Sequence, residues 1–439
     1  MIELSAIFIQ FFIFIVICSF PFNPKNLNKL FKADKISFNY IDCHAINIII
    51  LINILLVASF FNIQLNYIFS ALLTISLIFL IIRRNEFLLL LNEKNMIKFI
   101  FFFIITVSIF ISTAHSLKLE WDGFHWITKA LVFFNNSEIQ NLQNSDMSQY
   151  PHLGGYIWAF FWKNSILQLE YFGRLFYIYF YLISIFTIFN IANFKSDKLV
   201  FVLIFSLIFL TYDPYLFAGY QEYLIFSSLT ISARFISTIN FTKKIEYKKI
   251  FLIFLIMSLL MWFKNEGIFY FLIFGTLLIF LSNNSITPKF LLFISVLSII
   301  YLQRYLQENI IGINGINPYY INDQILVHLL NFKLLLLQAI AVTKHIIIAT
   351  LKYPLWVLIF FSLFFSNIFK SRIITLDKYF FFAIVLNFLF IYSIYLYAPI
   401  TNEHILSVTM DRIMLQTSGF YIPILIFILN KTKIRDLNF

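Results

Sequence analysis

Apolar stretches of roughly 17 to 25 residues, closed off by Lys, Arg, Asn or Pro, recur from one end of this chain to the other. Each is long enough to cross a hydrocarbon layer of about 30 Å as a helix, the conformation that satisfies every backbone polar group within the segment. The pattern predicts thirteen spans, at 2–20, 45–60, 67–82, 98–115, 174–193, 199–212, 222–241, 249–263, 268–282, 289–305, 353–369, 379–399 and 412–430. Several are short for a full crossing, so tilted or half-inserted helices are expected among them. Phe- and Ile-rich runs such as 178–189 ask for nothing more than a lipid-facing helix. The expected fold class is an all-α integral membrane bundle of about 11–13 transmembrane helices, with amphipathic helices on its outer face.

Composition agrees. A chain of 439 residues that is 61% hydrophobic and 12% charged holds more apolar side chain than a water-soluble core can hide. No soluble domain and no repeat of 20 to 50 residues interrupts the pattern, so 1–439 reads as a single polytopic membrane domain. Alternate loops carry 21 of the 32 basic residues, which by the positive-inside rule places those loops in the cytoplasm, the N-terminus outside and the C-terminus inside. The formal charge of +11 is then a topological signal and does not suggest a nucleic-acid partner. The start, Met1-Ile2-Glu3-Leu4, lacks a basic n-region, and no small-residue cleavage site follows, so an uncleaved first helix is expected. Cys18 falls inside that helix and Cys43 at a cytoplasmic boundary, which supports neither a disulfide nor a thiolate metal site.

Two outer segments are long enough for structure of their own: 116–173, the first outer loop, and 306–352, where an apolar stretch punctuated by Lys333 and Lys344 suits an interfacial helix. In the first, Asp122, His125 and Lys129 recur at i, i+3 and i+7, on one face of a helix, with Trp126, Ala130 and Phe133 beside them. In the second, the Gly312-to-Pro318 run is loop chemistry.

Ionisable groups at the outer helix ends are the informative ones, because an unpaired charge in lipid costs several kcal/mol. They are Glu120 and Asp122 in the first outer loop, Glu222, Lys264 with Glu266, and Asp411 with Arg412. Asp122 suits a general base or, more plainly, the cap of the helix that follows it. Lys264 suits a phosphate, with Glu266 orienting it, or an interfacial position beside Trp262. The fork of Arg412 fits phosphate oxygens, or a salt bridge to its neighbour Asp411. Arg234, about 18 Å along its helix from Glu222, is expected to snorkel inward in preference to meeting substrate. His125, His152, Asp122 and Asp146 offer metal-ligand chemistry, but at a spacing that matches no compact motif.

Taken in order, Trp121-Asp122 with Lys129-Ala130, Tyr150-Pro151-x-Leu153-Gly154, Gly173-Arg174-Leu175, Gly219-Tyr220-Gln221-Glu222, Lys264-Asn265-Glu266-Gly267 and Asp411-Arg412 resemble the polytopic GT-C glycosyltransferases. The resemblance spans roughly 120–425 and is nearest to the polyprenyl-phosphate-sugar-dependent branch that includes lipopolysaccharide-core and protein mannosyltransferase types. It implies transfer of a sugar from a lipid phosphate carrier to a glycan, lipid or protein acceptor at the periplasmic face of a bacterial cytoplasmic membrane. The implied chemistry is inverting displacement with Asp122 as base, and Glu120 as the nearest alternative acid. Tyr150, His125, Lys129, His152, Arg174, Glu222, Lys264, Glu266 and Arg412 become substrate-binding candidates, Lys264 and Arg412 toward phosphate. Many members carry two adjacent acids where this chain has Asp122-Gly123, so a divalent metal is admitted but not required; His152 likewise stands where a small apolar residue is common. Two other classes compete. A lipid-carrier flippase or other transporter would place its charges in mid-membrane cavities or broken helices. A polysaccharide polymerase or ligase would rely on His125, His152, Arg174 and Arg412, with Asp122 dispensable.

Overall fold

The computed structural model describes residues 2–31, 38–91, 93–114, 119, 122–136, 138–192, 194, 196–313, 331–365, 376–397 and 403–431. Among these the regular structure is helical throughout, with no strand. In chain order the helices are α1 (Ile2–Ile17), α2 (Pro24–Phe31), α3 (Tyr40–Ser59), α4 (Leu65–Ile82), α5 (Arg84–Leu91), α6 (Lys94–Ala114), α7 (Asp122–Phe134), α8 (Leu153–Lys163), α9 (Tyr171–Phe189) and α10 (Asp197–Thr211). They continue with α11 (Glu222–Ile236), α12 (Tyr247–Ser258), α13 (Leu260–Phe263), α14 (Gly267–Leu281), α15 (Ile286–Leu306), α16 (Phe332–Lys352), α17 (Pro354–Phe365), α18 (Leu376–Tyr397), α19 (Glu403–Ser418) and α20 (Ile422–Lys431).

Every expected span holds a helix among the described residues, and eight helical segments there are long and apolar enough to cross a membrane. The chain is an all-α, multi-pass membrane protein. One of the eight, α16, was expected to lie along the surface. Its hydrogen bonds keep both of its ends near one end of the bundle. Gln338 donates to the Tyr395 carbonyl, Thr343 meets the Tyr392 hydroxyl, and Lys352 binds Asp411. Asn387 and Thr417 pair lower down α18 and α19, which puts Tyr392, Tyr395 and Asp411 all beyond that level on the same side. Helix α16 therefore runs across the end of α18 and α19, and sufficient length alone does not make it a crossing.

The core is built on α9 and α11. All residues of both helices are buried, so the Phe- and Ile-rich run in α9 faces protein, contrary to the lipid-facing expectation. Lipid is as apolar as a protein interior, so close packing and hydrogen bonds decide which helix is enclosed. Three tyrosines of α9 supply such bonds to three different neighbours. Tyr177 donates to the Gly154 carbonyl of α8 at 3.1 Å, Tyr179 pairs with His44 of α3, and Tyr181 meets Thr211 of α10 at 2.5 Å.

Helix α11 is also pinned by charge. Arg234 does not snorkel; it is fully buried and grips Asp42 of α3 with two bonds of 3.0 and 2.9 Å, its guanidinium lying over Phe38. Asp42 in turn closes a capping box with Asn39, whose side chain accepts from Asn190 at the end of α9. Helix α2 packs on α3 and on α12 here, which brings Lys25 and Lys29 to the same end as Lys243 to Lys249, and we call this the basic end. The opposite end carries Glu222, Lys264 and Arg412, and Glu3 near the start of α1 accepts there from Tyr171.

Replacing Arg234 with Met strands the Asp42 carboxylate in the core, and a loss of about 3–5 kcal/mol is expected, read as a lower unfolding midpoint in detergent. Asp42→Asn combined with Arg234→Met should recover part of that loss.

Candidate functional site

Four separate stretches of chain bring their charges together at the non-basic end. Helix α7 opens on Asp122, α11 opens on Glu222, the turn between α13 and α14 carries Lys264 and Glu266, and α19 carries Arg412. The turn forms because Lys264 is extended at φ −149° and ψ 157°, ending α13. Gly267 then packs so tightly on Leu260 that a Cβ would lie 1.9 Å from its carbonyl oxygen. Before α11, Gly219 takes a positive φ of 72° under the Trp158 ring, a backbone state that favours glycine.

Lys264 Nζ is 2.8 Å from Glu222 Oε1, 3.8 Å from Asp122 Oδ2 and 4.0 Å from Glu266 Oε1. Arg412 Nη1 bonds Asp122 Oδ2, and its Nε lies 3.7 Å from Glu222 Oε1. The two cations and the Asp122 and Glu222 carboxylates thus form a closed four-membered charge cluster, with Glu266 at its edge. Glu222 is fully buried and Lys264 nearly so, whereas the Asp122, Arg412 and Glu266 side chains keep 21%, 14% and 24% of their surface exposed. Lys264 and Glu222 are the floor of the site, and the other three form its face.

Burial acts to raise the Asp122 pKa, but Lys264, Arg412 and His125 overcome it and hold the carboxyl below its usual range. Burial likewise acts to lower Lys264, and Glu222 and Glu266 more than offset it, so this lysine stays an ammonium. Aromatic rings border the cluster: Lys264 lies 5.8 Å over the Tyr150 ring, and Tyr220, stacked on Tyr215 at 4.6 Å, lies against Gly123 next to Asp122.

Asp411 is not the partner of Arg412. It binds Lys352 of α16 at 2.5 Å, while Tyr353 donates to Asp213 at 3.1 Å. Lys352, whose side chain is 44% exposed, escaped the sequence reading because it closes an apolar stretch with nothing charged near it in the chain. The run of charge that continues the cluster toward α16 exists only after folding.

Other candidates are placed elsewhere. Lys129 is wholly buried on the inner face of α7 and donates to the carbonyls of Met147 and Tyr150 at 2.9 and 3.2 Å, tying down the loop that presents Tyr150. His152 bonds Ser59 at 2.7 Å amid Phe60, Phe133 and Trp262, and burial pulls its pKa down to about 3, so it is neutral. Arg174 grips Glu170 at 2.9 and 2.6 Å and donates to the Phe217 carbonyl at 2.7 Å. His125 pairs with Asp146 at 2.5 Å on the rim, apart from His152. Among the described residues no three His, Cys, Asp or Glu side chains stand together in a metal-ligating arrangement. Glu120 lies outside the described residues.

The remaining motif residues form one scaffold under the site. Gln221 packs where a Cβ on Gly154 would be and donates to the Tyr177 hydroxyl at 2.8 Å, and Gly173 and Gly219 both make room for Trp158. This links α8, α9 and the start of α11, and so fixes Glu222 beside Lys264.

Comparisons with protein-family models, with curated proteins and with solved structures find no match to this chain. The functional reading rests on the cluster itself.

Burial lowers the Lys129 pKa from its ordinary 10.5 to about 7, with Asp146 opposing. The unfolded chain therefore binds more protons than the folded one between these values, and stability should rise as the pH is raised from about 7 toward 10. Lys129→Met should remove that rise, measured as the unfolding midpoint across this range.

Proposed function

We propose that this chain is a membrane glycosyltransferase that moves a sugar from a polyprenyl-phosphate carrier to a hydroxyl-bearing acceptor at the non-cytoplasmic face. The observation that carries the reading is the convergence of Asp122, Glu222, Lys264 and Arg412 into one cluster whose exposed face pairs a carboxylate with a guanidinium. Displacement at a glycosyl phosphate asks for that combination: a proton acceptor for the incoming hydroxyl and fixed positive charge for the departing phosphate. The acceptor oxygen bonds to the anomeric carbon, the carbon–oxygen bond to phosphate breaks, the phosphate leaves with the electron pair, and the hydroxyl proton passes to Asp122.

The pairing of Asp122 with Arg412 adds a control. With Arg412 on it, Asp122 is a weak base; phosphate competes for the same guanidinium and draws it away, which raises the basicity of Asp122 when a donor is in place. Lys264, held by Glu222, keeps positive charge beneath the site throughout. The Tyr150 and Tyr220 rings offer flat apolar surface for a sugar.

The membrane sidedness supports this reading. The cluster lies at the end opposite the basic loops, which the positive-inside rule assigns to the cytoplasm of a bacterial inner membrane, with the N-terminus outside and the C-terminus inside. The polymerase or ligase alternative needs Arg174 and His152 at the site, and both are bound within the scaffold. The flippase alternative looks for charges in mid-membrane cavities or broken helices; Arg234, the charge that the sequence sets inside an apolar span, is instead fully buried against Asp42 at the basic end.

The test uses membranes carrying the chain, supplied with polyprenyl-phosphate hexoses and pentoses, and reads release of polyprenyl phosphate, the product common to any acceptor. Asp122→Asn should lower turnover by about 10²–10⁴ with normal membrane insertion. Lys264→Met should weaken it by a similar order. Undiminished turnover in Asp122→Asn sinks the proposal.

A further inference from the structure

At the basic end, remote from the charge cluster, a cavity of about 610 Å³ opens between α2, the start of α12 and the start of α15. Lys29, Lys244 and Lys248 line it, together with Leu30, Ile245, Glu246, Tyr247, Asn284 and Ser285. All three lysines are exposed, and none is in an ion pair or hydrogen bond with a described residue. Among the described residues Glu246 is the one carboxylate in the lining, so there three lysines face one glutamate.

The cavity is shaped by bonds that do not involve the lysines. Asn284 clasps the backbone of Ile245 through both of its side-chain atoms, at 2.9 and 3.4 Å, and Asn283 donates to the Thr242 carbonyl at 3.0 Å. The loops that precede α12 and α15 are thereby held side by side. Both helices begin in the cavity wall, at Tyr247 and Ile286, and in neither does the capping residue, Glu246 or Ser285, cover the first amides with its side chain. Two uncapped helix N-termini and three lysines thus face a common space, and each favours an anion with several acceptor oxygens.

What leads away from the cavity is apolar. Tyr247 and Phe251, one turn apart on α12, are 56% and 69% exposed, and Ile286 and Phe290, one turn apart on α15, are 83% and 62% exposed. Both pairs start at the cavity and run along helices toward the middle of the bundle, the level of acyl chains. The topological rule accounts for lysines at this end but not for their gathering around two open helix starts above an apolar track.

We propose that this cavity binds the phosphodiester headgroup of an anionic phospholipid from the leaflet at the basic end, with the acyl chains along Tyr247–Phe251 and Ile286–Phe290. The site is independent of the transfer chemistry proposed above. It would anchor α2, α12 and α15 to one leaflet and set the depth at which the bundle sits.

The test measures binding of dihexanoyl phosphatidylglycerol to the full chain in neutral detergent, beside dihexanoyl phosphatidylcholine and glycerol phosphate. Each lysine near an anionic headgroup contributes roughly fivefold in affinity, so Lys29→Gln, Lys244→Gln and Lys248→Gln together should weaken phosphatidylglycerol binding about a hundredfold. Lys94→Gln, Lys98→Gln and Lys198→Gln, at the same end but outside the cavity, should leave binding within about twofold. If the triple variant fails to insert, Lys244→Gln alone should still lose about fivefold, and Lys244→Arg should retain binding. Equal loss from both lysine sets would make the effect one of general surface charge, and equal affinity for phosphatidylcholine would remove the headgroup contact. Glycerol phosphate binding as tightly as the lipid would make the cavity a soluble phosphate site. Each of these results overturns the proposal.

Discussion

Helix α11 carries a charged residue near each of its ends, and neither charge can stay unpaired inside a bundle surrounded by lipid. That requirement organises the molecule. Glu222 is neutralised by Lys264 and Arg412, which draws the α13–α14 turn and α19 to one end, and Arg234 is neutralised by Asp42, which draws α3 to the other. A helix fixed by ion pairs about 18 Å apart has neither depth nor rotation left to vary. The hydrophobic effect cannot do this in a bilayer, because sliding an apolar helix past an apolar neighbour exposes nothing to water.

The two ends meet the cost of that arrangement differently. Asp42 and Arg234 meet in full burial through two bonds, with Arg234 Nη1 left without a hydrogen-bond partner among the described residues, and Asn39 and Asn190 extend the network beside them. At the other end the cluster is open on one side. Asp122 and Arg412 satisfy each other only through one carboxylate oxygen, at a surface a ligand could reach. The same interaction is a structural lock where it is enclosed and, in the function we propose, exchangeable chemistry where it is exposed. The proposed reading follows from this difference more than from the identity of the residues, which is nearly the same at the two ends.

Several ionisable groups that looked like chemistry in the sequence turn out to position it. Lys129 holds the Met147–Tyr150 loop by two carbonyls, His152 is a neutral ring wedged between α3 and α13, and Arg174 braces the turn before α11. Two of the three lie in a motif with a residue that does face the site: Lys129 follows Asp122 on α7, and His152 follows Tyr150. The pairing is physical. A ring or carboxylate presented at the mouth of a membrane bundle needs its backbone held, and a buried donor aimed at carbonyls holds it without adding charge to the surface.

The sequence by itself determined the helical, multi-pass architecture, the division into a basic end and an opposite end, and the group of Asp122, Glu222, Lys264 and Arg412 as the charges to watch. These were legible because length, hydropathy and the sign of a loop's charge are local properties, and lipid imposes them segment by segment. Only the tertiary structure decided that α9 and α11 are enclosed while similarly apolar helices face lipid, that α16 runs across the bundle end, and that Arg412 takes Asp122 over its neighbour Asp411. Composition is the same for a helix in protein and a helix in lipid, and a charge announces that it needs a partner without saying which. Partner choice is settled by which helix ends arrive at the same depth, and that is a property of the packed bundle alone.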